Sequence, residues 1–273
     1  MGYQMDDPWL AEVDAMCVLA PRLVTQAQTK FIAGDTASAE HLLRRAISID
    51  ANDKDARLAL ANILLRGDRL NNESLLEAIA HLEVGLAIDP SYVMTRSKYG
   101  WALYVAQRFD EARKVWKAIL IEEPLHGPVL SNLAQLEYVQ KNYQLAYDYY
   151  KRSLSVPGDS PFAISGNEQL RSASLYRFAL AAKKVNRTTE ALKALQLAVE
   201  YAPSDSAIQF ELGNSYISEQ DFSAALPHIE LANALQPNNP RILAALGFSW
   251  FKLQDTARAV DYLKQSVTIA PTY

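Results

Sequence analysis

Residues 97–124 read SKYGWALYVAQRFDEARKVWKAILIEEP, and residues 210–237 read FELGNSYISEQDFSAALPHIELANALQP. Laid over one another, the two stretches share an early small residue (Gly100, Gly213) and a second one twelve positions on (Ala112, Ala225). Four residues beyond comes a large one (Trp116, Ile229), and a proline closes each stretch (Pro124, Pro237). Apolar residues stand at three- and four-residue spacing on both sides of a short polar turn, which is the pattern of two amphipathic helices joined as a hairpin.

Working outward, the same pattern covers almost the whole chain. Small residues recur at Ala27, Ala61, Gly100, Ala134, Ala179, Gly213 and Gly247, and a second series runs Ala39, Ala78, Ala112, Ala146, Ala191, Ala225 and Ala259. Most steps are 34 residues; each series has one step of 39 and one of 45. Two insertions account for these, five residues around Arg69 to Ser74 and eleven at 161–171, and the register resumes after each. Close helix packing needs a position without bulk to receive the neighbour's side chain. Leu43, Leu82, Trp116, Tyr150, Leu195, Ile229 and Leu263, each four residues after a second-series Ala, supply that bulk.

Polar turns separate the paired helices at Gly34-Asp35, Arg108 to Asp110, Lys141 to Tyr143, Asn186-Arg187, Gln220-Asp221 and Gln254-Asp255. Pro90, Pro124, Pro203, Pro237 and Pro271 end the second helices, with Ala51 and Gly158 in that place in the first and fourth units. Pro227, early in a second helix, is expected to bend it mildly.

A 34-residue period of helix pairs with this small-small-large-Pro pattern, in seven copies, resembles the tetratricopeptide repeat family. The resemblance implies an all-α, right-handed superhelical solenoid of antiparallel helix pairs. Its repeats fall at about 20–53, 54–92, 93–126, 127–160, 172–205, 206–239 and 240–273, with the insertion at 161–171. Tyr216 and Trp250 match the family's large residue late in the first helix, whereas Lys30 and Glu137 depart from it. Residues 1–19 read as a capping helix, opened by Asp7-Pro8, with Trp9, Leu10, Val13, Met16 and Cys17 on one face and Cys17 as a small buried hydrophobe. The last repeat has no polar capping helix after it. The chain is therefore expected to be part of a longer protein or to self-associate through that end.

Composition excludes several functions. The 273 residues are 49% hydrophobic and 21% charged, enough apolar material for a large core. A net charge of −4 lacks the basic footprint of nucleic-acid binding. The single cysteine cannot form an intramolecular disulfide and suits a reducing compartment, so a cytoplasmic location is expected, or a periplasmic one where an export signal has been removed. No signal peptide, membrane span or myristoylation motif is read, since Asp6 stands where that motif wants Ser or Thr.

No enzyme chemistry is read either. The glycines form no phosphate-binding loop, and no G-x-S-x-G turn exposes a serine. His41, His81, His126 and His228 lack metal-ligand spacing and read as exposed or capping residues. Glu122-Glu123 sits at a helix end as solvated charge. No catalytic residue, metal or cofactor is expected.

In chains resembling this one, the first helices line a concave wall that binds peptide. Placed on that pattern, the wall carries Lys98, Trp101, Tyr104, Asn132, Gln135, Tyr138, Tyr176, Arg177, Phe210, Asn214, Phe248 and Phe251, with Ser97, Lys183, Ile217 and Arg241 beside them. The first two repeats offer Thr25, Gln28, Leu58 and Asn62. Rings supply buried area, amides read a peptide backbone, and Arg pairs with carboxylate. Relatives that clamp a terminal carboxylate use a Lys/Asn/Asn/Lys/Arg set; Asn132 and Arg177 match two places, and Ser97, Trp101 and Ala173 occupy others, which argues against such a clamp. Pro161 and Gly166 make the 161–171 insertion either a flap over the groove or an extended loop. The expected function is a non-catalytic scaffold binding a protein segment in its groove. The alternatives are the substrate-recognition arm of a larger glycosyltransferase or sulfotransferase, and a self-assembling scaffold.

Overall fold

The computed structural model describes residues 8–158 and 168–271, the stretch 8–18 by its backbone alone. These residues form α1 (Pro8–Ile32), α2 (Thr36–Ile49), α3 (Lys54–Leu64), α4 (Asn72–Ile88), α5 (Val93–Val105), α6 (Phe109–Glu122) and α7 (Gly127–Val139). There follow α8 (Tyr143–Leu154), α9 (Glu168–Lys184), α10 (Thr188–Tyr201), α11 (Ser206–Ser218), α12 (Phe222–Leu235), α13 (Pro240–Lys252) and α14 (Thr256–Ile269). No strand occurs among the described residues, and the fold is the all-α solenoid of helix pairs that the periodicity predicts. The helices fall into two compact units, Met1–Pro124 with α1–α6 and Leu125–Tyr273 with α7–α14. In each, an odd-numbered helix packs most closely on the even-numbered helix after it.

What holds a pair together is the small-large register. All the second-series alanines, Ala39 to Ala259, are buried. At Gly100 an added Cβ would stand 2.4 Å from Trp116 Nε1, and at Gly213 it would stand 2.4 Å from Ile229 Cγ1. At Gly247 it would meet Leu263 Cγ at 2.6 Å. These are closer than any non-bonded carbon contact, so the backbone of the first helix lies directly against the bulky side chain of the second. Trp116 also donates its indole N–H to the Ser97 carbonyl at 3.1 Å, which satisfies the one polar group that this burial would strand.

The turn inside six of the seven pairs is equally regular. Gly34, Gln107, Lys141, Asn186, Gln220 and Gln254 occupy one register position, and all have φ between 59° and 83°. The next residue's N–H then reaches back five residues to a helix carbonyl, as in Asp35 to Lys30, Asn142 to Glu137 and Asp255 to Trp250. This closes the helix end as a Schellman motif. The helix starts are capped by side chains as well: Asp35, Asp53, Asp205, Asp221 and Asp255 each accept a backbone N–H of the first turn.

Residue 19 is not an element boundary, because α1 runs unbroken from Pro8 through Pro21 to Ile32, so the leading segment and the first repeat's first helix are one helix. The Cys17 side chain and the Asp7 cap lie outside what is described. Of the 161–171 insertion, residues 161–167 lie outside the described residues, and Glu168 to Arg171 form the first turn of α9. The five-residue insertion is a longer connection from α3 to α4, closed by a reciprocal cap between Asn71 and Ser74 and tied to α2 by an ion pair from Arg69 to Glu40. Pro227 lies inside α12 with its ring exposed, and the helix continues past it.

The clasp sets a stability expectation. Gly213→Ala drives a methyl into Ile229 and should lower unfolding free energy by about 1–3 kcal/mol in chemical denaturation. Gly67→Ala, whose Cβ would meet nothing within 4 Å, should leave it nearly unchanged.

Candidate polypeptide-binding surface

In the first unit α1 touches α3 and α3 touches α5, whereas no two of its even-numbered helices approach as closely, so the odd helices form the inner wall. A hollow of about 730 Å³ opens there, lined by Gln28, Leu58 and Asn62, together with Lys54 and Asp55 at the start of α3 and Asp50, Asp53, Asp89 and Tyr92 from the connections. Most of its acids have local work. Asp53 caps α3, and Asp50 accepts the Asn52 N–H. Asp89 pairs with Lys54 at 2.5 Å, which helps hold its carboxyl down to about 2. The Lys54 ammonium in turn lies 4.4 Å from the centre of the Tyr92 ring. Thr25 spends its hydroxyl on the Pro21 carbonyl.

The α5 residues divide. Trp101 and Tyr104 stack at 5.2 Å, and Tyr104 also meets Phe109 and Trp116 of its own helix pair at 5.7 and 6.3 Å. Their rings therefore hold the pair together as well as facing the wall. Lys98 is mostly buried, and that burial pushes its ammonium below the ordinary lysine value.

In the second unit α7 touches α9 and α11 touches α13, so the odd helices again form the inner wall. Gln135 and Tyr138 from α7 converge with Tyr176, Arg177 and Leu180 from α9 around a pocket of about 200 Å³. Its back is Tyr150 of α8, 1% exposed, whose hydroxyl donates to Gln135 Oε1 at 2.9 Å. Sequence reasoning gave Tyr150 a packing role alone; its hydroxyl, which the Leu, Ile or Trp of the other repeats lacks, is what lets it bond Gln135 on the inner side. Glu211 was missed altogether. It pairs with Lys183 at 2.8 Å, and its charge, after burial, helps raise the pKa of both Tyr138 and Tyr176. Those tyrosines stay neutral hydrogen-bonding groups across the physiological range.

Further along the same wall, Phe210 lies under the Arg241 guanidinium at 5.7 Å, and Phe248 lies under the Lys252 ammonium at 5.4 Å. Phe248 is also edge-on to Phe222, and Phe251 is largely exposed. Asn132 and Asn214 are half-buried on α7 and α11. A second hollow of about 500 Å³ lies beside Tyr176 and Arg177, towards Pro203 to Ile208. Of the four histidines, His126 caps α7 and His41 is exposed, as expected; His81 and His228 instead sit half-buried against Arg57 and Gln209.

A family model described as tetratricopeptide repeat matches residues 99–163 and 176–240, two stretches that each hold a complete small-large clasp. These are tetratricopeptide repeats. Among the described residues, fourteen helices fall into seven pairs. Solved tetratricopeptide-type structures are similar in fold. The APC/C hetero-tetramer Cut9–Hcn1 superposes with a TM-score of 0.67 at 14% identity, over 94% of this chain and 46% of that one. A tetratricopeptide repeat protein from Parabacteroides merdae gives 0.57 at 16%, over 92% and 93%. Pseudomonas aeruginosa pilF gives 0.53 at 16%, over 95% of each chain. No curated protein matches the chain in sequence. Among the described residues, no helix is long and apolar enough to cross a membrane.

Lys98 supplies a pH expectation for the fold. Its folded value is lowered, so the unfolded chain binds more protons in the window just below the ordinary lysine range, and stability climbs with pH there. Lys98→Met should raise the denaturation midpoint at pH 7 and flatten that climb, as denaturant titrations over a pH series would show.

Proposed function

We propose that the chain is a non-catalytic scaffold that binds a polypeptide segment on the inner wall of its repeats. The observation carrying this reading is the pocket of the second unit. Two helix faces bring rings, an amide and an exposed guanidinium around a cavity large enough for one apolar side chain, with groups beside it that can bond a peptide backbone. Tyr150 and Gln135 hold each other in place, so the pocket is preorganised and little ordering is left to binding. Tyr138→Ala combined with Arg177→Glu should keep the helical circular dichroism spectrum and lose the polypeptide that the wild type retains from an extract of its native cells. Equal retention by both would remove the inner wall from consideration.

Self-association is a second reading, favoured by α14. The large register residue is at most 2% exposed in the other six repeats, but Leu263 is 39% exposed, with Val260 and Val267 exposed beside it. A second copy covering that face would bury it as the interior repeats are buried. Light scattering across a concentration series should show a mass that rises for the wild type and stays monomeric for Leu263→Glu with Val267→Glu. A monomeric wild type at every concentration ends this reading.

A further inference from the structure

The inner helices of the second unit carry a charge that the chain as a whole does not. Together α7, α9, α11 and α13 hold six basic residues against three acidic ones, in a protein whose net charge is −4. The acids facing this wall are already engaged. Glu211 is paired with Lys183, Glu137 accepts from the Asn142 amide, and Asp205 caps α11 through the N–H groups of Ala207 and Ile208. Glu168 lies in the exposed first turn of α9.

The cations are differently placed. Arg177, Arg241 and Lys252 have no carboxylate within ion-pair distance among the described residues. Arg241 and Lys252 instead lie over Phe210 and Phe248, and Arg177 shares its pocket with Tyr176. A cation over a ring is held in place while its outward N–H groups stay available. Two first helices, α9 and α13, thus present unneutralised positive charge beside aromatic faces, with Arg241 reaching across to Phe210 of α11 between them.

We infer that the segment bound on this wall is an acidic peptide, with carboxylate side chains set between apolar ones. The inference rests on the inner-wall reading above. The carboxylates would pair with Arg177, Arg241 and Lys252, and an apolar side chain would enter the pocket between Tyr138 and Tyr176. Packed helices lie about 8–10 Å apart and an extended chain covers about 3.3 Å per residue, so carboxylates about six residues apart reach the cations of α9 and α13, and a peptide with one at every third position offers such pairs.

The test is fluorescence anisotropy with a labelled peptide of repeating glutamate-leucine-serine and its twin carrying lysine for glutamate. The glutamate peptide should bind the wild type at least tenfold tighter than its twin and weaken steeply with added salt. Arg177→Glu, Arg241→Glu and Lys252→Glu together should reverse that order. All three side chains are on the surface, and circular dichroism checks the fold; the milder Arg177→Gln with Arg241→Gln replaces the triple variant should it unfold, and should narrow the preference.

Equal or tighter binding of the lysine peptide overturns the acidic assignment, and its loss in Tyr138→Ala would show that the inner-wall reading survives. Glutamate-peptide binding that no inner-wall variant changes overturns both. No binding of either peptide, or displacement of the glutamate peptide by a single-stranded oligonucleotide at lower concentration than by unlabelled peptide, also overturns the acidic assignment.

Discussion

The structure depends on one steric fit: a small residue of each first helix against a large side chain of the second. Gly100 with Trp116, Gly213 with Ile229 and Gly247 with Leu263 leave no room for even a methyl group. That contact sets how far apart the two helices lie and how they are rotated, and so decides which residues are left facing inward. The inner wall is in this sense a by-product of the clasp. Substitutions at exposed wall positions such as Arg177 and Phe251 leave the clasp alone, so one scaffold can carry different binding surfaces.

The turns add a second constraint. A left-handed residue recurs at one position in six of the pairs, but only Gly34 is a glycine; Gln107, Lys141, Asn186, Gln220 and Gln254 hold the same conformation despite a Cβ. The strain, of the order of 1 kcal/mol or more per residue, is offset by the back-bonded helix end that it makes possible. Such turns are therefore not marked by glycine in the sequence. Their position follows from the helix register alone.

The fold was legible because it is written seven times, so that no single departure, such as Lys30 or Glu137, could obscure it. The site was legible in part. Gln135, Tyr138, Tyr176 and Arg177 were placed on the wall by the resemblance, and they line one pocket, whereas Trp101 and Tyr104 also pack within their own helix pair. Tyr150 and Glu211 escaped because their roles depend on reach and pairing: a tyrosine long enough to extend from the second helix to the inner side, and a carboxylate that meets a lysine 28 residues away. Register says which face a residue occupies. It does not say how far the side chain extends or whom it meets.

The wiring of the helices has a kinetic consequence. Within each unit the extensive contacts join a helix to the next one, or to the next but one, so no long loop has to close before packing can begin. Ordering entropy is met one hairpin at a time, and the neighbouring hairpin offsets it at once. Assembly can start at any clasp and spread in both directions, and opening begins at the pair with fewest neighbours while the interior stays closed.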